Sequence, residues 1–451
     1  MLPPFAAKSS EDRNLIQMNV STELNVLPRS GDTGPEPDYA AIAARFRPIF
    51  EEIAAGAVER ETKRELAYDA VKALREAGFG KVRIPQIYGG LGATIPQFFR
   101  LLMELATADS NVSHSFRGHF AFLEERINQR EQEAVEFWFP KVLSGKMIGY
   151  AMAERTNETG NSTLLTQEGE NWRLNGIKYY STGTIYADWI VAAAKDGEEI
   201  VSVAVPTDAE GVECIDDWDG FGQRLTGSGT TKFHNVLIKP EFIIRRFNPD
   251  DHEKREDSYG LSFLQMILLA SIAGAGRAAL RDVIAFVQPR TRAFGVAGQS
   301  LPRADPLVQR VVGRVASLSY AAESLVENNA RLIDELYRAK LAGTAQPEDF
   351  VAASVRTFQA QQMVIDLVLQ ATSLLFEVGG ASATSERIRL DRHWRNARTA
   401  ASHNPAIFRE RAIGDYLLNG TAPPTRWGRP KKTNEEEAVD AETTEAQAVD
   451  R

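Results

Sequence analysis

The chain has a single cysteine, Cys214, among 451 residues. One thiol excludes a disulfide framework, a cysteine-built zinc site and an iron–sulfur cluster. It points to a reducing compartment, and we expect a cytoplasmic protein. No apolar run reaches the roughly 18–20 residues of a membrane span, and the longest, Leu264 to Ala275, falls short. The first residues lack a basic segment ahead of an apolar core, so no secretory signal is expected. Excess base is lacking too: 52 Lys and Arg stand against 61 Asp and Glu, a net charge of −9. That balance argues against a nucleic-acid partner. Histidines number six, without H-E-x-x-H or a close ligand cluster, so no metal is expected. There is no G-x-S-x-G elbow and no G-x-x-x-x-G-K-[ST] loop. Gly274-Ala-Gly-Arg-Ala-Ala279 fits G-x-G-x-x-A, but no strand precedes it. Its small residues suit close helix packing instead.

What is present is ordered helix, strand, helix. Residues 1–36 read as a flexible arm, closed by the breaker-rich Gly31-Asp-Thr-Gly-Pro-Glu-Pro37. Residues 37–147 read as helices, with Ala41, Ile42, Ala44, Phe46 and Ile49 at helical spacing, then Leu66, Ala70, Val71 and Leu74. Residues 148–250 hold short β-prone runs, with Asn175-Gly176 and Asp196-Gly197 as turn signals. Such spacing suggests a β-barrel or sandwich. Residues 251–424 return to long helices, with one stripe through Val308, Val311, Val315, Leu318, Ala322, Leu325, Leu332 and Leu336. Two further helices are expected over Val351 to Phe376 and Ser385 to Ala401, together a four-helix bundle. After 425 the chain is acidic and lacks aromatics beyond Trp427, so residues 425–451 read as a disordered tail.

Several segments in this order resemble the acyl-CoA dehydrogenase superfamily. Tyr150-Ala-Met-Ala-Glu-Arg155 is similar to the first flavin-contacting β segment of that family, and Asn175-Gly-Ile-Lys-Tyr-Tyr-Ser-Thr-Gly183 to its second. Phe376-Glu-Val-Gly-Gly380 resembles its paired glycines, and Arg395-Asn-Ala-Arg398 the R-D-A-R before its catalytic loop. The resemblance implies an α+β fold with an N-terminal helical domain, a central β-barrel domain and a C-terminal four-helix bundle. It also implies a homotetramer with flavin at a subunit junction.

Two departures redirect the chemistry. Where dehydrogenases carrying their base in this loop have a Glu, this chain has Asn404, and an amide cannot take the α-proton of a thioester at neutral pH. Arg290-Thr-Arg-Ala-Phe-Gly295 alters the R-x-x-F-G spacing that grips a pyrophosphate; the changed spacing suits a terminal phosphate as well as a pyrophosphate and tilts the expectation toward FMN over FAD. These features resemble the flavin-dependent monooxygenase branch of the superfamily. The resemblance implies a separate flavin reductase that supplies reduced FMN, with O₂ as co-substrate. A C4a-hydroperoxide would then oxygenate a heteroatom, expected to be the sulfur of an organosulfur heterocycle such as dibenzothiophene. Amine or aromatic-carbon oxygenation, and FAD-dependent acyl-CoA dehydrogenation with a base elsewhere, are the alternatives.

By the same resemblance His403 is the expected proton donor to the peroxide, with Asn128 and Ser162 as pocket hydrogen-bonders. Tyr180, Ser181 and Thr182 are expected on the flavin, Arg290 and Arg292 at its phosphate, and the paired Gly379 and Gly380 among the cofactor-binding residues. Tyr88, Phe120, Trp218 and Phe221 are candidates to wall an aromatic substrate pocket. His393 reads as structural.

Overall fold

Asp38 caps the first helix, its carboxylate accepting from Ala40 N at 2.9 Å, and the apolar stripe behind it sets which face turns inward. The computed structural model describes residues 36–129, 134–155, 162–248, 258–292 and 301–423. The acidic tail and all of the N-terminal arm except Glu36 lie outside these residues.

Six helices come first: α1 (Tyr39–Lys63), α2 (Tyr68–Glu76), α3 (Ile95–Ala108), α4 (Ser110–Ser115), α5 (Arg117–Gln129) and α6 (Phe139–Leu143). In α1 the buried positions are Ile42, Ala43, Phe46, Phe50, Ile53, Ala57 and Glu61, whereas Ala41 and Ala44 face solvent. Helical spacing predicts those two alanines inward, and the difference arises because alanine alone does not reveal a face. Thr94 and Gln97 cap α3 reciprocally, fixing where it begins.

Eight strands follow: β1 (Ile148–Ala151), β2 (Leu164–Glu168), β3 (Asn171–Lys178), β4 (Trp189–Asp196), β5 (Glu199–Pro206), β6 (Val212–Ile215), β7 (Thr230–Ile238) and β8 (Ile243–Phe247). They form one sheet in the order β6-β7-β3-β2-β4-β5-β8, with β1 parallel to β4. Asp196-Gly197 turns β4 into β5, as its sequence suggested, with Gly197 at φ 59°. Asn175-Gly176 is not a turn. It lies inside β3 at a break in register with β7, where Asn175 Oδ1 accepts from Asn235 N at 2.8 Å. The β2–β3 turn is made by Gly169 instead, at φ 63°.

Five helices complete the described chain: α7 (Gly260–Val287), α8 (Pro306–Leu341), α9 (Pro347–Leu374), α10 (Asp391–Ala401) and α11 (Ala406–Asn419). The stripe on α8 is buried at Val311, Val315, Leu318, Ala322 and Leu336. The helix expected from Ser385 starts only at Asp391, because Ser385 is extended and Arg389 adopts φ 54°. Gly274 lets α7 lie against α3: a Cβ there would stand 2.3 Å from Ala106 Cβ and 2.8 Å from Met103 O. The G-x-G-x-x-A match is thus a packing device.

Candidate active site

The turn between α10 and α11 carries His403 and Asn404, and it meets the α4–α5 junction. Arg117 Nη1 lies 3.1 Å from His403 Nε2. A guanidinium only donates, so Nε2 must present its lone pair and the ring proton sits on Nδ1. That proton faces Asn404 Oδ1 at 3.2 Å, and Asn404 Nδ2 donates to Gln265 Oε1 at 2.5 Å. Gln361 Nε2 holds the Asn404 carbonyl at 2.9 Å. A directed relay therefore runs Arg117, His403, Asn404, Gln265, and every step across it is fixed by donor capacity.

Electrostatics agree with that tautomer. Burial among protein groups, then the charges of Arg117 and His114, hold the His403 imidazole well below its usual range, although the residue as a whole is exposed. The expectation that His403 supplies a proton near neutral pH does not match this geometry: the ring is neutral and its one N–H is engaged. Arg117 is lowered to about 10 by burial, so it remains charged at neutral pH. His114 is pushed down to about 3 by burial and by the Arg117 charge, and its Nδ1 lies 3.3 Å from Gln223 Oε1. Neither His114 nor Arg117 was singled out from sequence. The signal was present in Ser113-His-Ser-Phe-Arg-Gly-His119, a polar run inside an apolar helical stretch.

The base position is an amide in space as well as in sequence. Asn404 is buried and its side-chain partners are His403 and Gln265. The neighbouring helix α7 has one acid, Asp282, and that carboxylate binds Arg392 and, at 2.9 Å, His393 Nε2. His393 is thereby structural, as read from the sequence.

The Tyr180–Gly183 loop reaches the same junction. Gly183, at φ 80°, approaches so closely that a Cβ would stand 2.2 Å from Ser115 O. Ser181 is buried, its N–H donating to Gly229 O at 3.0 Å while its hydroxyl has no partner. Thr182 Oγ1 pairs with Ser228 Oγ at 2.7 Å. Tyr180 is half exposed at φ 56°, edge-on to Trp218 with ring centroids 5.9 Å apart. The loop between β6 and β7 is tied down by Gln223, whose N–H donates to Asn396 Oδ1 at 2.6 Å.

Three family models match the chain: Acyl-CoA dehydrogenase, N-terminal domain, over residues 37–146; the middle domain over 150–236; and the C-terminal domain over 266–406. The chain belongs to the acyl-CoA dehydrogenase family. Among relatives within it, dibenzothiophene monooxygenase of Rhodococcus qingshengii is 29% identical over 422 residues, 90% of this chain and 99% of that protein. The probable FMNH2-dependent monooxygenase SfnC of Pseudomonas putida is 26% identical, covering 87% and 97%. The crystal structure of TdsC from Paenibacillus sp. A11-2 with FMN and indole superposes with a TM-score of 0.79 at 26% identity, over 87% of this chain and all of that one.

The remaining expected residues of this family member fall into separate places. Arg290 Nη2 donates to Ser382 Oγ at 3.1 Å, and its guanidinium lies 4.5 Å from the Phe286 ring centroid. Gly379 lies against that same ring, and Gly380 takes φ 52° with open space beside it. Arg292 is exposed, and Phe294 lies outside the described residues. This group sits beyond the far end of α7, whereas Gln265 of the relay sits near its start. Twenty-two residues of helix separate Gln265 from Val287, roughly 33 Å at about 1.5 Å per residue.

Asn128 lies eleven residues along α5 from Arg117, roughly 16 Å by the same rise. Its amide donates to Ser258 Oγ at 3.3 Å and accepts from Lys340 Nζ at 2.9 Å. Ser162 donates its hydroxyl to Glu154 Oε2 at 2.9 Å, and Glu154 also binds Lys178. Phe120 is fully buried against Phe79, Phe98 and Phe116, a core position that offers no exposed face. Tyr88 packs on Phe139 at 5.6 Å. Phe221 is largely exposed and stacks on Trp394, the centroids 5.9 Å apart.

Proposed function

We propose that this chain is the oxygenase of a two-component system, in which a separate flavin reductase supplies reduced FMN and the reaction with O₂ oxygenates the sulfur of an organosulfur compound. The observation that carries this reading is the buried amide pair Asn404 and Gln265 where an α-proton base would have to stand. No general base means no efficient dehydrogenation, a loss of about 100- to 10,000-fold. The related dibenzothiophene monooxygenase and FMNH2-dependent SfnC support the alternative chemistry.

The residues fit a flavin. The partnerless Ser181 hydroxyl, buried beside the Tyr180 turn, is a ready hydrogen-bonding group for a polar ring edge. Bound FMN supplies the electrons that activate O₂. Tyr180, Ser181 and Thr182 hold the ring system, with Tyr180 and Trp218 forming an aromatic wall beside it. His403 positions the Arg117 guanidinium rather than giving up its own proton, and the relay to Gln265 keeps both in place. Phe120 supports this arrangement from the core.

Arg290, Arg292, Gly379 and Gly380 stand too far from His403 to hold the phosphate of a flavin seated on the same chain. We place them at the flavin of a neighbouring copy, within a homotetramer in the cytoplasm. A single assay separates the readings: purified chain, a flavin reductase and FMN under air, with dibenzothiophene in one reaction and benzenesulfinate in another. An S-oxygenated product of either that appears only with the reductase supports the proposal. Reduction of an electron-accepting dye by an acyl-CoA, with no oxygenated product, overturns it.

A further inference from the structure

Arg117 is a charged group without a counter-charge. It is 8% exposed, it makes no ion pair among the described residues, and its Nε–H has no hydrogen-bond partner. Its one polar side-chain contact among the described residues, His403 Nε2, is neutral. The groups around it add no negative charge. His114 is neutral, and the other side chain that bears on Arg117 electrostatically is the un-ionised phenol of Tyr150. An uncompensated buried ion costs several kcal/mol, and chains retain one where a ligand completes it. The other deeply buried arginines each face a carboxylate: Arg83 sits on Glu124 with two bonds of 2.9 Å, Arg126 on Glu125 at 3.3 Å, and Arg392 on Asp282.

The position is also right for a ligand. Arg117 begins α5, directly after the segment that the flavin-loop residue Gly183 abuts, and it is joined to the solvent-exposed residue His403. Both histidines are neutral, so Arg117 is the only full charge in the cluster. A guanidinium with free N–H groups recognises two-oxygen anions in a planar, bidentate manner.

We propose that Arg117 is a substrate-binding residue that receives an oxyanion, so that the organosulfur substrate carries a sulfinate or carboxylate group. This rests on the monooxygenase reading for the identity of the site, but its test needs no turnover, so either can fail alone. The probes are benzenesulfinate and its uncharged counterpart methyl phenyl sulfone, titrated calorimetrically into the full chain with and without oxidised FMN. The wild-type chain is expected to bind the sulfinate at least about tenfold more tightly, the scale of one charge-assisted hydrogen bond. Arg117→Gln should erase that preference while Arg117→Lys keeps part of it, with FMN affinity unchanged in both. Equal binding of the two probes by the wild-type chain overturns the proposal whether or not the variants fold. So does a preference that survives Arg117→Gln, or a loss confined to FMN binding, which would assign the charge to the flavin instead.

Discussion

A buried polar side chain matters according to whether its partners are present. Arg83 and Glu124 are 6% and 2% exposed and doubly bonded, and Tyr259 Oη donates to the same carboxylate at 2.8 Å. Glu124→Ala should therefore destabilise the chain by about 3–5 kcal/mol, because it strands the guanidinium. Denaturant titration checks this, and a loss under 1 kcal/mol, the value of an exposed pair, would refute it. His403 makes a different prediction. On the proposed reading its ring positions Arg117 from an exposed turn, so His403→Ala should fold and bind FMN normally yet release more hydrogen peroxide per O₂ consumed. Unchanged product yield would count against the assignment. At this scale the sequence revealed the amide at 404 and the imidazole beside it, since both sit in a recognisable motif. It hid Arg117 and His114, because a charge on a short helix reads as solvated until the fold buries it. It also made Phe120 look like a pocket wall, because an aromatic at helical spacing looks the same in a cleft and in a core.

Elements bring these residues together through close backbone approach more than through side-chain reach. Gly183 is the tightest such point, with positive φ and a carbonyl where a methyl would go. Gly183→Ala should push the flavin loop off the α4–α5 junction, at a strain of about 1–2 kcal/mol before the clash is counted. FMN affinity is expected to fall at least about tenfold, roughly the effect of that strain alone. Fluorescence titration with FMN tests it, and wild-type affinity would show that the loop has slack. The elements themselves were largely readable from periodicity. The errors fell where one dipeptide has two uses. Asn175-Gly176 serves a register break in β3 rather than a turn, and only the pairing with β7 distinguishes the two. Ser385 to Leu390 carries no glycine or proline to announce that α10 waits until Asp391.

Over the whole molecule, buried histidines couple the fold to pH. Burial holds His114 at about 3 and His119 and His393 at about 4, all below the unfolded value of 6.5. Above that value both states are neutral and stability is indifferent to these groups. As pH falls below about 6.5 the unfolded chain takes up protons that the folded chain refuses, so stability drops. The melting temperature should be several degrees lower at pH 5.5 than at pH 7.5, and an unchanged value would contradict the burial. Exposed apolar residues at Leu307, Tyr320, Ile407, Phe408 and Leu418, on α8 and α11, are consistent with contact between copies. Light scattering should give about four times 49.9 kDa, and a 49.9 kDa particle would leave Arg290 and Arg292 without the neighbouring flavin proposed for them.

Helix α7 holds no unbroken apolar run of bilayer length, but its length and mean hydropathy together match a bilayer-crossing segment, and most of that stretch is buried inside the protein. Heat that loosens its surroundings would release into water a greasy rod that no longer has its sleeve. Such rods find one another faster than they find their way back. Thermal loss of this protein should thus be a one-way event, with an apparent midpoint that climbs as the heating rate is raised.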